Sequence, residues 1–95
     1  MRLDVKKMKY IAFWHYDQKD TRKIIEKFQV ANLGIKQLLP PHHIGGQPKG
    51  FTLIETDDPM DLIKFMGYYS PEMDFTMYPI TDSAVASKHW LETHK

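Results

Sequence analysis

The stretch MKYIAFWHY, Met8 to Tyr16, constrains this chain most. It is dense in aromatic and β-branched residues and is closed by the polar run DQKD, which marks a strand. Side chains alternate across a strand, so Met8, Tyr10, Ala12, Trp14 and Tyr16 share one face, and Ile11, Phe13 and His15 the other. Both faces are apolar. A strand wetted on one side alternates apolar with polar, so this one is covered on both sides and sits inside its sheet.

The rest of the chain supplies the cover. Asp20 or Thr21 caps a helix whose apolar residues Ile24, Ile25, Phe28 and Leu33 oppose Arg22, Lys23, Glu26 and Lys27. Gly34 suits the left-handed position that stops it. Ile35 to Leu39 begin a second strand, and Pro40, Pro41 and Pro48 force it to an edge or make it irregular. FTLIETDD is the third strand. Asp58-Pro59 opens a second helix, carried by Leu62, Phe65, Met66 and Tyr69 and ended by Ser70-Pro71. DFTMYPI is the fourth strand, and SAVASKHWLETHK reads as a terminal helix with Ser83 as its cap. There is no internal repeat, low-complexity segment or linker.

The order β-α-β-β-α-β is the split βαβ, or ferredoxin-like, arrangement of the α+β class: a four-stranded antiparallel sheet with two helices on one face. Residues 1–95 form one such domain with an added C-terminal helix. The helix-free face is then apolar as well, because the first strand is apolar twice over. An open apolar sheet face exceeds what a monomer ordinarily exposes, and stacking two such faces across a two-fold axis covers it. The chain has five Tyr, five Phe, two Trp and six Met. So many large apolar residues do not all fit one small core, which places some at a cavity or a subunit interface.

Composition excludes several roles. Thirteen basic and twelve acidic residues give a net charge of +1, so nothing draws the chain to nucleic acid or an anionic membrane. With no cysteine there are no disulfides, thiolate nucleophiles or thiolate zinc sites. No apolar run approaches the ~20 residues of a membrane span, and MRLDVKKMKY has no apolar signal core, so the expectation is a cytoplasmic protein.

Three segments, MKYIAFWHYDQKDTRKIIEKF, HHIGGQPKGFTLIETDDPMDLIKFM and DFTMYPITDSAVA, carry a resemblance. Together they look like a small bacterial and archaeal family known only as a domain of unknown function and placed with the dimeric α/β-barrel proteins. The likeness spans most of residues 8 to 86 and is most specific from His43 through GFTLIETDD. It implies the fold and a homodimer. It brings no reaction with it, because the wider superfamily includes monooxygenases, isomerases, chlorite dismutases and stress-responsive proteins, and one fold hosts many chemistries. No catalytic set from those enzymes maps onto this chain.

Candidate site residues follow from the histidines and aromatics. His42 and His43 are adjacent in PHHIGG and point to opposite sides of an extended chain, so they do not chelate together. His43, nearer the glycines, is the preferred candidate for a ligand contact or an acid-base role. His15 is the second, with Asp17 or Asp74 as an orienting carboxylate, and alternation puts it beside Ile11 and Phe13 at the rim of the helix-covered layer. Trp14, Tyr16 and Tyr78, with Tyr10 and Met77, are candidate walls of a pocket on the helix-free face, with His43 at its rim. Packed dimer interface is the competing assignment for those aromatics. Gly45, Gly46 and Gly50 match no phosphate-binding pattern and read as turn residues. Asp57 and Asp58 are too few ligands for a cation, and His89 and His94 lie on different sides of their helix, so no metal site or cofactor is expected. Two functions fit: a homodimer holding a small apolar ligand in or beside its barrel, or a cofactor-free small-substrate enzyme of monooxygenase or isomerase type using His43 or His15 with a tyrosine.

Overall fold

A computed structural model describes residues 7–94. In chain order it contains β1 (Met8–Tyr16), a 3-10 turn (Gln18–Asp20), α1 (Thr21–Val30), β2 (Lys36–His43), β3 (Lys49–Thr56), α2 (Met60–Tyr69), β4 (Met73–Ile80) and α3 (Ser83–Thr93). The sheet order is β2-β3-β1-β4 and every pairing is antiparallel, an α+β ferredoxin-like fold. The strand β1 is central, between β3 and β4, but the helices cover only one of its faces: Phe13 on the other is 42% exposed. No described helix is long and apolar enough to cross a membrane.

Local chemistry sets most boundaries. Asp17 caps the 3-10 turn by accepting from the Lys19 N–H at 3.1 Å, and the Thr21 hydroxyl donates to the Gln18 carbonyl at 2.6 Å. Asp20, a predicted cap, makes no side-chain cap hydrogen bond. In α2, Asp58 Oδ1 accepts from the Met60 N–H at 2.9 Å across Pro59. Asp82, not Ser83, caps α3, accepting from the N–H groups of Ala84 and Val85 at 2.8 and 3.4 Å. The structure stops α1 at Val30, so Leu33 lies beyond it, and Gly34 takes φ 71° in the connection. The strand β2 continues through both prolines as an edge strand, with register shifts between Gln37 and Leu39 and between Leu39 and His42. Proline lacks the N–H a regular ladder uses, which an edge tolerates.

The core lies between the sheet and the first two helices. Ala12, Trp14 and Tyr16 of β1 pack with Ile24 of α1, Phe65 and Tyr69 of α2, and Met73 of β4. This corrects the expected faces. The Trp14/Tyr16 face is the helix-covered one, and Ile11, Phe13 and His15 lie on the open face. Alternation divides β1 into two apolar sets but does not say which the helices cover.

The partners on β3 decide it. Trp14 pairs with Gly50, and a Cβ built on Gly50 meets Trp14 ring carbons at 2.5 Å as well as the His42 carbonyl oxygen. Only a bare backbone leaves room for the indole there. Trp14 Nε1 then donates to the Thr52 hydroxyl at 3.2 Å, so a buried donor and a buried acceptor satisfy each other. Lys27 ties α1 to the chain after α2: its Nζ donates to the Tyr68 carbonyl at 2.9 Å and to Glu72 Oε1 at 3.1 Å, while the Tyr68 hydroxyl donates to the Lys27 carbonyl at 3.0 Å.

Candidate functional site: a crevice under the first helix

The end of β1 and the end of β2 meet beside α1. The β2–β3 turn uses Gly45 at φ 52° and Gly46 at φ 70°, conformations that glycine adopts without strain. It brings His43 opposite Gly50, whose partner on β1 is Trp14, two residues before Tyr16. The Tyr16 hydroxyl and His43 Nε2 are 2.8 Å apart, a hydrogen bond whose donor depends on the imidazole tautomer. The His43 ring stands edge-on to Trp14 at 4.9 Å between centroids and to Phe28 at 5.6 Å. Packing against two aromatics holds the imidazole in place while its outer side faces solvent.

Two cavities meet at His43. One, of about 570 Å³, is lined by Tyr16, Gln18, Thr21, Ile25, His43, Gly46, Gln47 and Pro48. The second, of about 380 Å³, is lined by Ile25, Phe28, Gln29, Pro40, Pro41 and His43. They share Ile25 and His43, so they form one crevice between α1 and the β2–β3 arm. Burial pushes the Tyr16 phenol above its ordinary value, which keeps it protonated at neutral pH. Neither lining contains an aspartate, glutamate, lysine or arginine.

The predicted site residues separate. Tyr16 and His43 come together, but on the helix side of the sheet and not on the open face. Trp14 lies beneath His43 as a 2% exposed core residue and lines neither of these cavities. Tyr78 is on the other side of the sheet: it pairs with Ile11 and touches Phe13 edge-on at 6.4 Å. The β1–β4 register matches odd residues of β1 to even residues of β4, which puts Tyr78 and Trp14 on opposite faces. Met77 pairs with Ala12 and so shares the helix side.

His15 is also on the open face. Its Nδ1 is 3.8 Å from Asp74 Oδ2, its cross-strand neighbour, with both side chains well exposed. That is beyond hydrogen-bond range, and Asp17 is engaged in capping. His42 turns away from His43, as adjacent strand residues must. It donates from Nδ1 to the Pro40 carbonyl at 2.6 Å and stacks on Phe51 of the open face. His94 stacks on Trp90 at 4.3 Å. Among the described residues, no three His, Asp or Glu side chains converge as a metal-binding set. Sequence reasoning missed Ile25, Gln18 and Gln47 as crevice residues. No local signal marks them: they come from α1, the 3-10 turn before it and the β2–β3 turn, which only the fold brings together.

A four-stranded ferredoxin-like sheet, covered on one side by two helices and carrying a Tyr–His crevice at its edge, defines a small α+β protein of the split βαβ type. Residues 8–93 match the family described as Domain of unknown function (DUF3303), and the chain belongs to that family. No curated protein and no solved structure matches it.

Proposed function

We propose that this protein is a homodimer of the dimeric α/β-barrel kind, formed by stacking the helix-free sheet faces of two copies. The observation that carries the proposal is the composition of that face. Ile11 pairs with Leu53 and Tyr78, and Phe13 pairs with Phe51, so five large apolar side chains form one continuous patch. Phe13 and Tyr78 are 42% and 53% exposed although both lie on the inner strand or its neighbour. Charged groups stand around this patch: Lys9 and Lys49 on adjoining register positions, the Lys36–Glu55 pair at 3.2 Å, and His15 with Asp74. An apolar centre with a rim of both charge signs is the anatomy of a protein interface. A second copy presents the same mixture and so meets it on a two-fold axis.

The third helix supports the same occupant. It buries no residue, and Val85, Trp90 and Leu91 are 64%, 55% and 64% exposed. Val85 adjoins Lys9 and Ile80 at the margin of the open face. A second protomer on that face gives α3 an apolar surface to cover, which its own protomer does not. The lack of cysteine is in keeping with a reducing, cytoplasmic setting. A site for the expected small ligand is offered by the crevice under α1, where the Tyr16–His43 pair lies.

Size-exclusion chromatography with Phe13→Glu tests the assembly. A charge at the stacked centre has no partner and costs several kcal/mol when buried, so the variant elutes as a folded monomer while the parent elutes as a dimer. Tyr78→Lys provides a second variant in case the first does not fold. Parent and folded variants eluting alike would overturn the proposal.

A further inference from the structure

We propose that the crevice between α1 and the β2–β3 arm binds a small uncharged phenol or cyclic alcohol, whose hydroxyl joins the Tyr16–His43 hydrogen bond. The inference rests on the lining chemistry and is independent of the dimer, since the crevice lies on the helix side of the sheet.

The lining sets three conditions. It holds no aspartate, glutamate, lysine or arginine, and the charges on the adjoining flank of α1, Arg22 and Glu26, are of opposite sign, so an anionic or cationic ligand would lose hydration with no dedicated counter-ion in return. It offers an apolar wall of Ile25, Phe28, Pro40 and Pro41, so the ligand carries an apolar body. It offers the ordered Tyr16–His43 pair in the wall of the larger cavity, beside the amides of Gln18 and Gln47. If the Tyr16 hydroxyl donates to His43 Nε2, the phenol oxygen is left to accept a proton from the ligand. If His43 donates from Nε2, the Tyr16 hydroxyl is left to donate to the ligand. A hydroxyl both donates and accepts, so it satisfies either tautomer, whereas an ether or ketone satisfies only the second. The volume of the larger cavity, about 570 Å³, is within the range of small-molecule sites. Trp14 and Phe28 fix the imidazole from below, so the pair is in place before a ligand arrives.

The test is an NMR titration of the full chain with 4-methylphenol and with toluene, which lacks the hydroxyl. The phenol is expected to shift the ring signals of Tyr16 and His43 and to bind about tenfold more tightly than toluene, the usual effect of one well-placed hydrogen bond. Tyr16→Phe is expected to reduce that preference while leaving toluene binding unchanged. His43→Ala serves the same purpose should Tyr16→Phe fail to fold. Tyramine and 4-hydroxyphenylacetate, with an added ammonium and carboxylate, are expected to bind more weakly than 4-methylphenol. No shift at Tyr16 or His43 up to ~10 mM phenol would overturn the inference. So would equal affinity for phenol and toluene, or tighter binding of either charged analogue.

Discussion

Gly50→Ala tests how the core is assembled, because a single methyl group meets two immovable neighbours. Gly50 has an ordinary negative-φ strand backbone, so alanine fits its conformation, and elsewhere such a change stabilises by ~0.4–1 kcal/mol through the unfolded chain. Here the new Cβ lies 2.5 Å from two ring carbons of Trp14 and collides with the His42 carbonyl. Carbon contacts settle at ~3.5–4.0 Å, so the indole must withdraw by about 1 Å. Trp14 is 2% exposed and held by Thr52, Phe28 and His43, which leaves it no free direction. The carbonyl belongs to the β2–β3 arm, and moving it disturbs the His43–Gly50 pairing. Overpacking of this kind costs ~1–3 kcal/mol, and the backbone collision puts Gly50→Ala at or slightly above the top of that range. In a domain of this size about 3 kcal/mol lowers Tm by roughly 12–24 °C. Differential scanning calorimetry at one fixed protein concentration reads the shift. The double variant Gly50→Ala with Trp14→Phe is the control: the smaller ring vacates the space, so the two losses are less than additive. An unchanged or raised Tm for Gly50→Ala alone, or strict additivity, would refute the reasoning.

Further predictions concern α1 and α2. Lys27→Met keeps the aliphatic stem but leaves Glu72, whose side chain is 15% exposed, and the Tyr68 carbonyl without their donor. Urea unfolding should show a loss of about 1–3 kcal/mol. Burial, with a smaller contribution from neighbouring Tyr68, pushes the Tyr69 phenol up to about 12. Its folded value thus lies above its unfolded value of 10.0. The unfolded chain loses this proton first as pH rises, so the stability is intact below pH 10 and falls between pH 10 and 12. Tyr69→Phe should flatten that part of the pH–stability curve relative to the parent. His43→Ala should lower stability by at most about 1 kcal/mol in chemical denaturation, because the ring is exposed on its outer side and water can replace it at the Tyr16 hydroxyl.

The inner position of β1 was legible from its run of aromatic and β-branched residues, but the cover expected on both of its faces is present on one only, since the Phe13 face is open. The edge position of β2 was legible from Pro40 and Pro41. Which face of β1 the helices cover was not, since Trp14/Tyr16 and Ile11/Phe13 are equally apolar. The deciding partners, Gly50 and Thr52, become informative only once the antiparallel register sets them beside Trp14. The same register moved Tyr78 away from Trp14: one strand's alternation says nothing about the parity of the next. His43 facing Tyr16 follows from the two register shifts in β2, which periodicity does not reveal. The opposed directions of His42 and His43 needed only the geometry of an extended chain, and the structure shows His42 on Phe51 and His43 on Trp14.

Sedimentation equilibrium of the unmodified protein at micromolar concentration tests the central claim directly. If the helix-free faces stack, the mass found is twice the 11.2 kDa of one chain and holds across a tenfold dilution, as about 10 µM to 1 µM. A single species at 11.2 kDa throughout that range would contradict the account.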